Sequence, residues 1–201
     1  PSDSQPTVAQ AFAAGGFETV QIGKLHFQPH ENHDLTAGRR YTYGFVVFFG
    51  SEEAGAYHDA YKTWLRSEYP KHVRKFSVPR PTSPERASGL RGRVIDAPWQ
   101  ASHSGFVSTL ASRFLTAGRC HNQFLHLGFY SPHPPLNPTE EMFEPYMGAE
   151  LPAPRCKEQE WLDKPEPLSS LLRACRDWTA QMFDDYKRHF YALVTGIDLA
   201  L

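Results

Sequence analysis

Residues 41 to 53 read Tyr-Thr-Tyr-Gly-Phe-Val-Val-Phe-Phe-Gly-Ser-Glu-Glu, and this stretch decides the expected fold. From Tyr41 to Phe49 aromatic and β-branched residues dominate, the composition of a strand buried on both faces. Ser51 then offers a side-chain oxygen as an N-cap, and Glu52 and Glu53 stand where carboxylates oppose the positive end of a helix. Ala54, Tyr57, Tyr61 and Trp64 follow at steps of three and four, which predicts a helix over 51–68 with one aromatic face and a stop at Pro70. A central strand running into a helix is thus the nucleus around which the rest is arranged.

On the N-terminal side, residues 1–16 are small and polar and suit a flexible arm, so a single domain is expected over 17–201. Val20, Ile22, Leu25 and Phe27 alternate with polar residues and predict a strand that Pro29 ends. On the C-terminal side a strand is expected over 73–79, a loop over 79–92, and a short edge strand at Val94-Ile95. Phe106, Val107, Leu110 and Phe114 mark a helix near 103–117 opened by Ser102 or Ser104. From Gln123 to Tyr130 the alternation predicts a strand with Leu125, Leu127 and Phe129 on one face and Phe124, His126, Gly128 and Tyr130 on the other. A proline-rich crossover over 131–167 leads to a long helix from Ser169 to Val194, stopped before Gly196. The strand-helix-strand rhythm occurs twice, which predicts an α+β fold. Its expected form is a mostly antiparallel sheet with ferredoxin-like units and the C-terminal helix laid across it.

The chain has 201 residues, 40% hydrophobic and 13% aromatic, enough for one core without crosslinks. Lys and Arg number 21 against 22 Asp and Glu, a formal charge of −1; no global field steers it to nucleic acid. Arg39, Arg40, Arg86, Arg91 and Arg93 are basic groups among interleaved acids, the pattern of a solvated surface. Cys120, Cys156 and Cys175 are odd in number and irregular in spacing, which predicts a reducing, cytoplasmic or otherwise intracellular compartment. Apolar runs are only strand-length and no basic flank opens the chain, so neither a membrane span nor a targeting segment is expected.

Gly-rich phosphate loops, Gly-x-Ser-x-Gly, paired Cys-x-x-Cys and His-Glu-x-x-His are absent from the sequence, which argues against the chemistries that need them. His30, His33, Cys120 and His121 have metal-capable side chains without a firm ligand pattern. His26 and His126 each sit between apolar neighbours in an expected strand. If those strands pair, two imidazoles converge on one pocket as general acid and base.

Gly38-Arg39-Arg40-Tyr41-Thr42-Tyr43-Gly44-Phe45, followed by Ser51-Glu52-Glu53, Tyr57 and Tyr69-Pro70-Lys71-His72, resembles the second half of a stress-responsive dimeric A/B barrel domain. The resemblance covers residues 38–76, with Tyr43 where that family places histidine and Tyr69 in place of the first histidine of its turn. It implies a ferredoxin-like sheet around a pocket, with Tyr43 and His72 transferring protons without a cofactor.

The leading expectation is a cofactor-free small-molecule enzyme of the lyase type. Tyr43, His72, His126 and His26 are its catalytic candidates, and Tyr41, Tyr57, Tyr130 and Phe124 line a pocket for a small apolar or aromatic ligand. The alternatives are a non-catalytic interaction domain with a protein partner or a second copy, and a metal-dependent site at the His30/His33 loop.

Overall fold

The computed structural model describes residues 5–27, 42–78, 92–117, 122–153, 164–166, 168 and 178–201. Three strands, β1 (Glu18–Gly23), β2 (Val47–Gly50) and β3 (Gln123–Gly128), form a sheet of order β2-β1-β3. Both pairings are parallel, with Gly23 opposite Gly50 on one side and Gly128 on the other. The expected antiparallel, ferredoxin-like sheet is therefore corrected. Parallel neighbours cannot be joined by a tight turn and need a long crossover. Between β2 and β3 that crossover carries the helices α2 (Ala60–Glu68), α3 (Val73–Phe76) and α4 (His103–Thr116), numbered after an N-terminal α1 (Val8–Ala14).

The aromatic run 41–49 is not the central strand. Tyr43 and Gly44 both have positive φ, 51° and 92°, and turn the chain, so only Val47–Gly50 pairs, as an edge. The centre belongs to β1, in which Thr19, Val20, Gln21 and Ile22 are all fully buried. Val20 and Ile22 meet Tyr61, Trp64 and Leu65 of α2 and Phe106 and Val107 of α4 in the main core, each such side chain contributing about 1.5–3 kcal/mol on burial. The polar pair faces the other way and is tolerated because it is bonded. The Thr19 hydroxyl donates to Gly44 O at 2.7 Å, and the Gln21 amide donates to Gly23 O at 2.9 Å.

That second face is covered within residues 5–16, expected as an arm, where Val8–Ala14 form α1. Thr7 and Gln10 make a reciprocal capping box at its start. Ala9 is fully buried against Leu25 and Phe45, and Phe12 stacks on Phe124 with centroids 4.3 Å apart.

The expected helix over 51–68 begins only at Ala60. Asp59, fully buried, is its N-cap: its carboxylate accepts from Lys62 N at 3.0 Å and from the Ser51 hydroxyl at 2.7 Å. Asp59→Ala removes a cap and orphans a buried hydroxyl, so a loss of about 2 kcal/mol is expected in urea denaturation. A loss below about 0.5 kcal/mol would show that neither bond matters. The segment expected as a strand over 73–79 continues from a 3-10 turn (Pro70–His72) as α3 through Phe76. Ile95 makes an isolated parallel bridge to Thr139.

Beyond β3 come α5 (Glu140–Phe143) and, after the intervening segment, α6 (Ala180–Asp198) with Thr179 as N-cap. The C-terminal helix packs on α5 and α4 rather than across the sheet. Gly196 lies inside it and does not stop it. A Cβ there would stand 2.6 Å from Met142 Cε, so the glycine permits close helix contact. Among the described residues no helix is long and apolar enough to cross a membrane.

Candidate functional site

In a parallel sheet the chain leaves every strand on the same side, and the crevice outside the carboxyl ends is where such folds bind ligands. Gly23, Gly50 and Gly128 share one row of the sheet at those ends. They are followed by Lys24-Leu25-His26, Ser51-Glu52-Glu53 and Phe129-Tyr130 leading to His133. Gly23 and Gly128 let the ends of β1 and β3 close on one another, since a Cβ on Gly23 would stand 2.1 Å from Gly128 O. Lys24 N donates to Gly128 O at 2.7 Å and Ser51 N to Gly23 O at 2.9 Å, extending both ladders.

Glu52 and Glu53, expected as carboxylates against a helix dipole, are buried in this crevice. One oxygen of Glu52 accepts from Leu25 N at 3.0 Å and from His26 N at 2.6 Å. These charge-assisted bonds accompany a φ of 57° at His26, a conformation an L-residue adopts at a cost of about 1 kcal/mol. The His26 side chain is exposed. Glu53 accepts from the Tyr130 hydroxyl at 2.9 Å, and Pro134 O lies 2.5 Å from the same hydroxyl. Burial, then the Glu53 charge, push the Tyr130 phenol far above its ordinary range; it stays neutral.

Tyr130 is also the common wall of two cationic or titratable groups. The Lys24 ammonium sits 4.8 Å from its ring centroid, a cation-π distance, and the His133 ring lies 5.0 Å away on centroids. His133 Nδ1 is 2.6 Å from Pro134 O. A carbonyl only accepts, so Nδ1 carries a proton and Nε2 of this exposed ring is left for chemistry. Behind Tyr130, the buried His103 accepts the Tyr130 N–H at Nδ1, 3.3 Å away, which puts its proton on Nε2. Burial lowers its pKa to about 3, with Lys24 pushing the same way and the Ser51 carbonyl and Glu52 opposing. His103 is a neutral structural ring.

A cavity of about 50 Å³ adjoins this arrangement, its lining mixing polar His103, Tyr130, His133 and Asn137 with apolar Ile95 and Met142. Of the residues expected from sequence, Tyr130 alone lines it. His26 stands past the end of β1. His126 lies on the α1 face of the sheet, its Nδ1 2.5 Å from the Gln21 amide oxygen, and burial lowers its pKa. Tyr43, in its turn, sets its ring edge-on to Phe27 at 5.4 Å. His72 ends the 3-10 turn after α2, and Tyr57 is half-buried in the loop before α2. Phe124 packs between Phe12 and Phe45. Tyr41, His30, His33, Cys120 and His121 lie outside the described residues. Among the described residues no group of three or more His, Cys, Asp or Glu side chains is placed to hold a metal ion. Sequence reasoning passed over Lys24 and His133 and gave Glu52 and Glu53 to a helix start. The signals for Lys24 and His133 were a Gly-Lys-x-His within one expected strand and a Pro-His-Pro-Pro turn after another.

No protein-family model and no curated protein matches the chain. Its whole length superposes on a phosphonate monoester hydrolase of Agrobacterium radiobacter with a TM-score of 0.69 at 20% identity. The two share a fold. The chain spans 43% of that enzyme's length. That neighbour is named a hydrolase, where the sequence reading expected a lyase, and the all-parallel sheet corrects the ferredoxin-like architecture.

Proposed function

We propose that the chain carries part of a hydrolytic site for an anionic ester at phosphorus, most simply a phosphonate monoester. The observation that carries this reading is the Lys24-Leu25-His26 turn at the end of the central parallel strand, held by Glu52, with the Lys24 ammonium and the exposed His133 ring each against Tyr130. The likeness of fold to a phosphonate monoester hydrolase supports it.

In hydrolysis the oxygen of water bonds to phosphorus and the ester P–O bond breaks, its electron pair leaving with the alcohol oxygen. Lys24 offsets charge on the phosphoryl oxygens, the preorganised electrostatic role that dominates such reactions. Between them His26 and His133 supply the base that takes a proton from water and the acid that gives one to the departing oxygen, since an imidazole has one ring nitrogen to accept and one to donate.

The test is release of p-nitrophenolate from p-nitrophenyl phenylphosphonate by the full-length protein. His26→Ala and His133→Ala are each expected to lower kcat/KM by about 10²–10⁴-fold, and Lys24→Met by a comparable factor. Absence of turnover in the unaltered protein overturns the reading. So does a larger loss in His126→Ala than in His26→Ala, which would move the chemistry to the α1 face.

A further inference from the structure

Tyr130 is buried, 6% exposed, yet Lys24 and His133 both lean on it. Its ring carries the half-buried Lys24 ammonium 4.8 Å from the centroid, a distance at which the face of a ring attracts a cation. Its hydroxyl lies 3.1 Å from His133 Nδ1. That hydroxyl has one proton and two acceptors for it, the Glu53 carboxylate at 2.9 Å and Pro134 O at 2.5 Å. A carboxylate and a carbonyl only accept. Whichever takes the proton, the phenol oxygen turns its lone pairs to His133 and receives Nδ1–H. The same Nδ1–H reaches Pro134 O at 2.6 Å, so two oxygens grip the imidazole at one nitrogen. The tyrosine is itself fixed, since its N–H donates to the buried His103 at 3.3 Å. Burial and the Glu53 charge hold the phenol neutral, so Tyr130 moves no proton of its own.

We infer that Tyr130 is the positioning residue of the site, its ring seating Lys24 and its hydroxyl, anchored on Glu53, turning His133 Nε2 outward. This rests on the hydrolase reading above. Lys24 follows β1 and His133 follows β3, so nothing local in the chain sets their spacing; the tyrosine between them does. Misplacing such a group by about 1 Å costs roughly 100-fold in rate. The two parts of the side chain act differently. The hydroxyl orients a group that transfers a proton and so serves kcat, whereas the ring holds a cation that meets the phosphoryl oxygens and so serves binding as well.

The experiment compares Tyr130→Phe, which deletes the hydroxyl alone, with Tyr130→Leu, which deletes the ring as well, in the full-length protein with p-nitrophenyl phenylphosphonate. Tyr130→Phe is expected to lower kcat roughly 10- to 100-fold with KM unchanged. Tyr130→Leu should in addition raise KM about 2- to 30-fold. Tyr61→Phe is the control: it deletes another buried hydroxyl, one that donates to Ala101 O at 2.9 Å, and should lower stability without moving kcat. The seating of Lys24 is read without turnover, because the ring current of an aromatic face shifts the ε-methylene protons of a lysine above it upfield. The Lys24 signal, assigned by its loss in Lys24→Met, should be shifted upfield in the unaltered protein and in Tyr130→Phe, and should return to its ordinary place in Tyr130→Leu. An unshifted Lys24 signal in the unaltered protein overturns the part given to the ring. A kcat in Tyr130→Phe no lower than in Tyr61→Phe overturns the part given to the hydroxyl. Either result leaves the hydrolase reading intact, and both are obtained even where Tyr130→Leu fails to fold. No turnover by the unaltered protein sinks the hydrolase reading and the positioning role with it.

Discussion

Replacing Gly128 by alanine is expected to cost more than about 3 kcal/mol of stability and to abolish any activity that depends on Lys24. A Cβ built on Gly128 would stand 1.8 Å from Lys24 O and 2.7 Å from Lys24 N. These are backbone atoms fixed by the ladder, since Lys24 N donates to Gly128 O. No side-chain rotamer relieves the clash, so β1 and β3 must separate at the end where the crevice begins. Gly148→Ala is the control, because a Cβ there meets nothing within 4 Å; it should lie within about 0.5 kcal/mol of the unaltered protein. Equal urea midpoints for the two variants would refute the close approach of the strand ends.

Acid should unfold the protein through His103. Its folded pKa is about 3, against an ordinary 6.5, and the ring is fully buried. Between those values the unfolded state binds a proton that the folded state refuses, so stability present above pH 6.5 is lost as pH falls and the loss levels off near pH 3. The slope from one such group is about 1.4 kcal/mol per pH unit, or about 3 kcal/mol by pH 4.5. His103→Gln keeps an acceptor for Tyr130 N and a donor on the far side but does not titrate, and should flatten the acid limb by that slope. The half-buried His126, also lowered by burial, leaves a smaller residual limb. An unchanged acid limb in His103→Gln would show that this ring is not the acid-sensitive group.

The helix over 103–117 and the strand over 123–130 were legible because periodicity and capping agreed. Ser102 accepts from Gly105 N as N-cap, and Leu125 and Leu127 pack on the main core. The stretch 41–53 misled for two separate reasons. Its aromatics serve as a cover for the second face of the sheet, with Phe45 stacking on Phe124 at 6.1 Å, and only four residues keep strand pairing. Its Ser-Glu-Glu resembles a helix start because N-caps and strand-end loops use the same side chains to satisfy backbone N–H groups. The N–H groups that were meant, those of Leu25 and His26, lie 27 and 26 residues from Glu52 in sequence and are not written locally. Conversely the alternation through Glu18–Gly23 does not mark it as the central strand, and only the bonds of Thr19 and Gln21 to Gly44 and Gly23 let both of its faces be buried.

The sequence by itself determined the local elements whose signals are short-range: two helices, the strand periods, the glycines and the aromatic content of the core. The direction of the strands, their order and the identity of the central one were decided by the tertiary structure. The physical reason is that parallel pairing depends on where long crossovers return the chain, which no window of periodicity encodes. The same return places Lys24, Glu52, Tyr130 and His133, spread over more than a hundred positions, along one edge of the sheet.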